Sequence, residues 1–484
     1  MLFNSVTYLL FLFVIVTLYW TLPRTPRLYL VFLSSITFYG FWKFTFVPVM
    51  LASVICDYFI AKRIYSEKQK LAKKYWLIIS LIFNLGLLFY FKYLIFFTDS
   101  AFGLANMIGL QADPFILNII LPIGISFYTF QTISYTVDVY RGFIKPENNF
   151  ILFASYVTFF PQLVAGPILR AVEVIPQLDK RPTFKLSSFE NGIRRIIFGL
   201  FLKVVLADNL APLVDSGFST SVDNLSAVDV WTLAFLFGFQ IYFDFCAYSH
   251  IALGSARLMG IQFPENFNYP YLATSPREFW KRWHISLSSW IRDYLYLPLV
   301  GEKVQDRSVG GLANVTQQKE KSKNIALFST WAIMGLWHGA NWTFMIWGLY
   351  HAICIYIYRI LAPVAHHWSK KTKHVCGWMI TLPTMMLGWI PFRCESLNDT
   401  FQMYLLILQP GAYTWLGMRE NVYLVTALVL LLFISYYFIS RYLKHFVQNK
   451  PIARIVGDTV LYTIAISFTV VFLRPINQFI YFQF

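Results

Sequence analysis

Long apolar runs recur along this chain, and they decide what it can fold into. A helix needs about 20 apolar residues to cross a bilayer, and only helices or closed barrels satisfy their backbone there. Charged residues make up 13% of the chain, against about 25% in soluble domains. We therefore predict an all-α polytopic membrane protein with about 10–12 transmembrane helices. The runs fall near 3–22, 28–42, 44–61, 75–98, 117–139, 193–210, 228–256, 324–340, 343–361, 375–392, 421–440 and 459–474.

Charge assigns the loops between these runs to the two sides of the membrane. Segments 99–116 and 207–229 contain aspartates and no Lys or Arg, so we expect them outside. Loops rich in Lys and Arg should be cytoplasmic; these are 61–74, 170–203, 257–323, 366–374 and 441–454. This pattern places both termini outside. It also explains the net charge of +16 without nucleic acid as a partner.

The chain reads as one integral membrane domain over residues 1–484. We divide it into N-terminal helices (1–116), a central core (117–361) and C-terminal helices with a terminal FIYFQF motif (362–484). A run near 150–165 contains Pro161 and ends in LVAGP, which favours a re-entrant segment over a crossing. The five cysteines form no CxxC pair, so we predict no metal site.

A basic stripe is predicted in the segment REFWKRWHISLSSWIRDYLYLPL, which spans 277–299. Helical spacing puts five residues on one face, with Arg282 beside them and tryptophans opposite; the five are Arg277, Lys281, His284, Ser288 and Arg292. One interpretation is an amphipathic helix with its tryptophans at the lipid headgroups. The other is a cytoplasmic entrance that binds a phosphate-rich ligand such as a nucleotide-containing thioester.

The segment GLWHGANW places His338 inside an apolar run, between Gly335 and Gly339. Glycines permit close backbone approach, and ionisable residues inside a membrane are rare and usually functional. One interpretation is a core histidine bonded to a neighbouring helix. The other is a general base, since burial disfavours imidazolium and leaves a ring that can accept a proton.

Four further polar residues suggest support for a substrate or for the structure. Asp244 and Tyr248 follow Gln240 on one helix face, so Asp244 needs partners inside an apolar run. Arg170 follows a Gly-Pro break that suits irregular backbone lining a cavity. Asn341 lies three residues after His338.

Five segments together resemble the membrane-bound O-acyltransferase family, and within it the bacterial alginate O-acetyltransferase-like branch. They are LPIGISFYTFQTISYTVDVYRG (121–142), YVTFFPQLVAGPILR (156–170), YFDFCAYSHIALGSARLMGIQFPENFNYPY (242–271), FWKRWHISLSSWIRDYLYLPL (279–299) and GLWHGANWTFMIWGLYH (335–351). One departure follows residue 299, since close relatives usually have PLGGN(R/K)G from residue 298 onward. Here the chain reads PLVGEKVQDRSVGGLANVTQQKEKSK.

The resemblance implies a multi-pass enzyme of the bacterial inner membrane with a central funnel or tunnel. It implies acetyl-CoA as the acyl donor, with no permanently bound cofactor. His338 matches the invariant histidine of the family, and His284 matches its second position. In the exporting branch the acetyl group reaches an extracytoplasmic SGNH-type transferase, which esterifies a polysaccharide. The polymer stays open between alginate, peptidoglycan and other exopolysaccharides.

The chain ends in RPINQFIYFQF, which the charge pattern places outside. Tyr481 is either an aromatic anchor at the membrane surface or an acetyl carrier that His338 deprotonates. Small partner proteins of D-alanyl-transferring relatives end in a similar motif. Two other functions stay open: D-alanyl transfer to teichoic acid, and a transporter in which the buried histidines relay protons.

Overall fold

A computed structural model describes residues 1–110, 117–164, 166–180, 182–306, 314–316, 323–447, 451–474 and 478–480. The first half of the chain forms eleven helices: α1 Val6–Thr21, α2 Arg24–Lys43, α3 Val47–Ser66, α4 Lys70–Leu88, α5 Leu94–Met107, α6 Ile125–Arg141, α7 Phe150–Thr158, α8 Ala171–Asp179, α9 Leu186–Phe201, α10 Asp208–Phe218 and α11 Ala227–Leu258. Two π-helical segments, Phe89–Tyr93 and Leu202–Ala207, join α4 to α5 and α9 to α10. Short 3-10 turns cover Phe44–Phe46 and Val222–Asn224.

The second half is also helical. Its helices are α12 Pro276–Arg282, α13 Ile285–Ile291, α14 Leu297–Val300, α15 Lys323–His338, α16 Trp342–Leu361, α17 Lys370–Leu387, α18 Ile390–Arg393, α19 Leu397–Ile407, α20 Glu420–Val447 and α21 Pro451–Val471. A π-helical segment covers Arg292–Tyr296, and 3-10 turns cover Pro270–Leu272, Val364–His367 and Pro410–Tyr413. β1 (Lys303–Asp306) and β2 (Asn314–Thr316) pair as a short antiparallel ladder. The all-α membrane prediction is confirmed.

Seven segments of the described chain are long and apolar enough to cross a membrane: Arg24–Ser66, Lys70–Met107, Leu186–Phe218, Ala227–Leu258, Trp342–Leu361, Lys370–Arg393 and Glu420–Ser440. Two shorter apolar helices are Val6–Thr21 and Ile455–Val471. The sequence predicts twelve crossings, and two features account for the difference. The runs 28–42 and 44–61 belong to one continuous segment, and four other runs fall on helices shorter than these seven: Val6–Thr21, α6 with 17 residues, α15 with 16 residues and Ile455–Val471.

Helix α11 lies at the centre of the molecule and is buried along most of its length. It packs closely on α9 because glycines line the contact. A Cβ atom at Gly199 would lie 2.7 Å from the carbonyl oxygen of Ala247, and one at Gly254 would lie 2.7 Å from that of Gly192. Any side chain at these positions would separate the two backbones.

A buried polar network joins α3, α4 and α6. Asp57 accepts hydrogen bonds from Asn84 Nδ2 at 2.6 Å, from Thr136 Oγ1 at 2.9 Å and from the Ser80 hydroxyl. Each donor comes from a helix that packs on α3, and all four side chains are buried. Buried polar groups need such partners, so this network fixes how the three helices register against one another.

Candidate active site

His338 is the last residue of α15, where α15 and α16 come into backbone contact. A Cβ atom at Gly335 would lie 2.2 Å from the carbonyl oxygen of Phe344, and one at Gly348 would lie 2.1 Å from that of Trp331. The sequence predicts close approach at Gly335, and the structure confirms it. The contact holds the end of α15 against the start of α16.

The imidazole of His338 is buried, with 6% of the residue exposed. Its ring contacts Trp337, Trp347 and Phe392, with centroid separations of 4.9, 4.8 and 5.4 Å. Phe392 packs on Trp389, which packs on Trp283, the residue before His284. The structure therefore places the two predicted catalytic histidines in one aromatic core.

The end of α15 is held by two side chains of the segment Phe89–Tyr93. Lys92 Nζ donates hydrogen bonds to the carbonyl oxygens of Trp337 at 2.7 Å and His338 at 2.9 Å. The Tyr93 hydroxyl donates to the carbonyl oxygen of Leu336 at 3.0 Å. The last carbonyls of a helix lack partners within the helix, and a cation is favourable there. Our sequence reasoning missed Lys92, although a lysine inside the apolar run 75–98 is a signal for function.

A cavity of about 190 Å³ lies beside His338. Lys92, His338 and Gln478 are polar residues of its lining, and residues 121–127 of the LPIGISF segment form one side. The cavity therefore joins parts of the chain that are far apart in sequence. A ligand in this cavity would lie beside His338, whose two ring nitrogens are themselves buried.

His284 lies at a break between two helices, and the predicted continuous helix over 277–292 is wrong. α12 ends at Arg282 and α13 begins at Ile285. His284 has φ of +42°, a left-handed conformation that is uncommon for any residue other than glycine. The break turns the imidazole inward, and His284 is fully buried. Its ring packs edge-on against Phe245.

Asn266 determines which nitrogen of His284 carries the proton. The side-chain Oδ1 of Asn266 accepts the backbone N–H of Ser286 at 3.2 Å and its hydroxyl at 2.9 Å. Because a backbone N–H only donates, this amide atom is the oxygen. It lies 3.2 Å from His284 Nδ1, so Nδ1 donates and Nε2 of the neutral ring holds a lone pair. Sequence reasoning missed Asn266, although it lies inside the 242–271 segment.

The basic stripe does not form, because the break at His284 separates its members. Arg277 and Lys281 are exposed on α12. Arg282 pairs with Glu278 at 2.7 Å, and Arg292 pairs with its neighbour Asp293 at 2.6 Å. The hydroxyl of Ser288 donates to the carbonyl oxygen of Trp283 at 3.3 Å.

The tryptophans of this segment are buried in the protein. Trp280, Trp283 and Trp290 expose 6, 1 and 6% of their surface. Trp283 packs against Trp389, and Trp280 packs against Trp347. An interpretation that places these rings at the lipid headgroups is therefore wrong.

Asp244 has the partners that its position in an apolar run requires. Lys203, from the π-helical segment Leu202–Ala207, lies 2.6 Å from Asp244 and 2.9 Å from Asp208. Lys203 Nζ also donates to the carbonyl oxygen of Gln478 at 3.3 Å. Sequence reasoning identified Asp244 but missed Lys203. The pair ties α11 to the last described residues of the chain.

The other predicted support residues occupy structural positions. The Tyr248 ring packs against Phe3 and Phe479, at 4.4 and 4.7 Å. Arg170 pairs with Asp293 at 2.7 Å, whereas the sequence predicts a cavity-lining role. Asn341 caps α16: its Oδ1 accepts the Thr343 N–H at 3.0 Å.

The structure leaves two predictions untested: the role of Tyr481 and the absence of a metal site. Tyr481 lies outside the described residues. Among the described residues, no group of three or more His, Cys, Asp or Glu side chains is arranged to hold a metal ion.

Comparison with known proteins gives consistent matches along the chain. Residues 144–397 match the MBOAT, membrane-bound O-acyltransferase family. The chain is 36% identical to a probable alginate O-acetylase AlgI of Azotobacter vinelandii, over 94% of this chain and 88% of the relative. A protein of the same description from Pseudomonas aeruginosa is 39% identical, over 86 and 76%. A peptidoglycan O-acetyltransferase of Helicobacter pylori is 32% identical, over 96 and 92%.

Proposed function

The chain belongs to the membrane-bound O-acyltransferase family and is a multi-pass O-acyltransferase, and we propose that it exports acetyl groups for O-acetylation of an extracytoplasmic polysaccharide. The acetyl group comes from cytoplasmic acetyl-CoA and crosses the bacterial inner membrane through this protein. Relatives named for alginate and for peptidoglycan support a glycan as the final acceptor.

The observation that carries this proposal is the position of His338. The residue is buried at the end of α15, lines a cavity and lies in the same aromatic core as His284, a second buried histidine. A neutral imidazole in such a place can take a proton from a hydroxyl group without competition from bulk water. Acyl transfer to a hydroxyl needs this proton transfer.

In the proposed reaction, His338 removes the proton from the attacking hydroxyl as its oxygen bonds to the thioester carbonyl carbon. The tetrahedral intermediate then collapses. Its C–S bond breaks, and the departing thiolate of CoA takes the proton from the imidazolium. His284, with its Nε2 lone pair, accepts a hydrogen bond that orients a reactant. General-base assistance of this kind contributes about 10²–10⁴ in rate.

The donor approaches from the side of α12, which the charge pattern places in the cytoplasm. Arg277 and Lys281 are exposed there and are available for the phosphates of CoA. Arg282 and Arg292 already have carboxylate partners. We therefore assign donor attraction chiefly to Arg277 and Lys281.

On the outer side we propose a covalent relay through Tyr481. His338 deprotonates the phenol, and Tyr481 takes the acetyl group as a phenolic ester. Phenolate is a good leaving group, since tyrosine has a pKa of about 10. An SGNH-type partner then accepts the acetyl group on its serine and transfers it to the glycan. The identity of the polymer would follow from the genes that neighbour this one.

Labelled donor tests the proposal in proteoliposomes that contain the full chain. Radiolabelled acetyl-CoA added on the cytoplasmic side should release free CoA and leave label on protein or on an added acceptor. Transport without chemistry would release no CoA. Activity with a D-alanyl carrier-protein thioester, and none with acetyl-CoA, would replace acetyl by D-alanyl as the cargo.

A further inference from the structure

We propose that Lys92 is a second catalytic residue of this site and stabilises the oxyanion that forms on the acyl group beside His338. The inference rests on the acyltransferase function proposed above. It assigns a chemical role to a membrane-embedded lysine that lies nearly 250 residues from His338 in the sequence.

The surroundings of Lys92 leave one of its hydrogens available. An ammonium group has three N–H donors. Two of them bind the carbonyl oxygens of Trp337 and His338, at 2.7 and 2.9 Å. These two are the hydrogen bonds that Lys92 makes within the described part of the chain. Lys92 also lines the cavity beside His338, so its third N–H is available to a ligand in that cavity.

The cavity has a second source of positive potential. Helix α6, 17 residues long, begins at Ile125, and Gly124, Ile125 and Ser126 line the cavity. The N-terminus of a helix carries a partial positive charge. Among the described residues that line the cavity there is no Asp or Glu. The positive potential of this lining stabilises a ligand or a reaction intermediate that carries negative charge.

Acyl transfer creates such a charge. When the attacking oxygen bonds to the thioester carbon, the electron pair of the C=O bond moves onto the carbonyl oxygen. Lys92 donates a hydrogen bond to that oxygen and keeps its proton throughout. When the C–S bond breaks, the electron pair returns to re-form the C=O bond. Fixed donors in a site of low dielectric constant stabilise such an oxyanion strongly.

The alternative is that Lys92 only caps α15, and the chain offers a matched control for it. The Tyr93 hydroxyl caps the same helix end through the Leu336 carbonyl at 3.0 Å. Tyr93→Phe therefore removes a capping hydrogen bond and no charge. Lys92→Met removes capping hydrogen bonds and the charge together, while it keeps a chain of similar length.

The experiment measures kcat, KM for acetyl-CoA and thermal stability of the full chain in proteoliposomes. Lys92→Met should lower kcat about 10²–10³-fold, the loss typical of a deleted oxyanion donor, with KM within about twofold. Lys92→Arg should recover part of the lost kcat. Tyr93→Phe should lower the melting temperature and leave kcat within about twofold of wild type.

Equal kcat losses in Lys92→Met and Tyr93→Phe, at equal folded fractions, would overturn the proposal. If Lys92→Met does not fold, Lys92→Gln replaces it, because an amide can still cap the carbonyls without charge; a wild-type kcat in Lys92→Gln would equally overturn it. A wild-type chain that does not use acetyl-CoA would refute the acetyl-CoA donor. The same comparison with the D-alanyl thioester would then decide the role of Lys92.

Discussion

The backbone N–H of Ile480 donates a 2.7 Å hydrogen bond to Asp244 Oδ2, in the middle of α11. Asp244 is almost completely buried, and its other oxygen binds Lys203. Gln478, two residues before Ile480, lines the cavity beside His338. The final described residues are thus fastened inside the bundle rather than spread along the membrane surface.

The acetyl relay predicts that Tyr481→Phe stops glycan acetylation without unfolding the protein. The substitution keeps the ring and removes the only atom that can carry the acetyl group. Intact mass after incubation with acetyl-CoA should show one acetyl on the C-terminal peptide of the wild type, and none in Tyr481→Phe. Tyr413→Phe, at an exposed tyrosine elsewhere, is the control. Normal glycan acetylation by Tyr481→Phe would mean direct transfer to the partner.

His338→Ala should reduce acetyl transfer by about 10²–10⁴-fold, because the attacking hydroxyl loses its base. We expect folding to change little, which size-exclusion profiles and melting curves can check. His250→Gln changes a histidine of α11 that packs against Phe198 of α9, and should leave turnover within about twofold. A well-folded His338→Ala protein with near-normal turnover rules out the general-base role.

Asn266 should affect turnover through His284. Asn266→Leu removes the acceptor that holds the proton on Nδ1, so we expect kcat to fall by about 10–100-fold, as when a metal-ligating histidine loses the partner that fixes its tautomer. Asn266→Asp keeps an acceptor and should recover part of kcat. Ser249→Ala is the matched control. The Ser249 hydroxyl accepts a hydrogen bond from the amide nitrogen of Asn266 at 3.2 Å, on the side of the amide away from His284 Nδ1. Equal effects of Asn266→Leu and Ser249→Ala would show a packing role alone.

Donor attraction should depend on salt. Replacing both Arg277 and Lys281 by Gln should raise KM for acetyl-CoA several-fold at low salt and leave kcat unchanged. The difference from wild type should shrink above about 0.3 M salt, where exposed charges are screened. Lys371→Gln, at an exposed lysine of α17, tests for a general effect of charge. An unchanged KM with a lower melting temperature would assign α12 a structural role.

Sequence patterns predicted the membrane class, the family and the burial of His338, because hydropathy, residue type and motifs carry that information locally. They failed where the chain leaves regular geometry. A periodic stripe over 277–292 assumes one helix, and nothing in the spacing reveals the left-handed residue at His284. Spacing does not reveal the partners of Asn266, Lys203 and Lys92, which lie 18, 41 and 246 residues away in the sequence. Such pairings depend on how the helices pack.

The α15–α16 contact also has a genetic consequence. Every missense change at Gly335 or Gly348 adds at least a Cβ atom, and that atom meets a carbonyl oxygen of the opposite main chain at 2.2 or 2.1 Å. Because the obstructing atoms are main chain, no second mutation can make room by shrinking a neighbouring side chain. Screens for intragenic suppressors should therefore return true revertants at these two codons, whereas losses at packed side chains elsewhere can be compensated nearby.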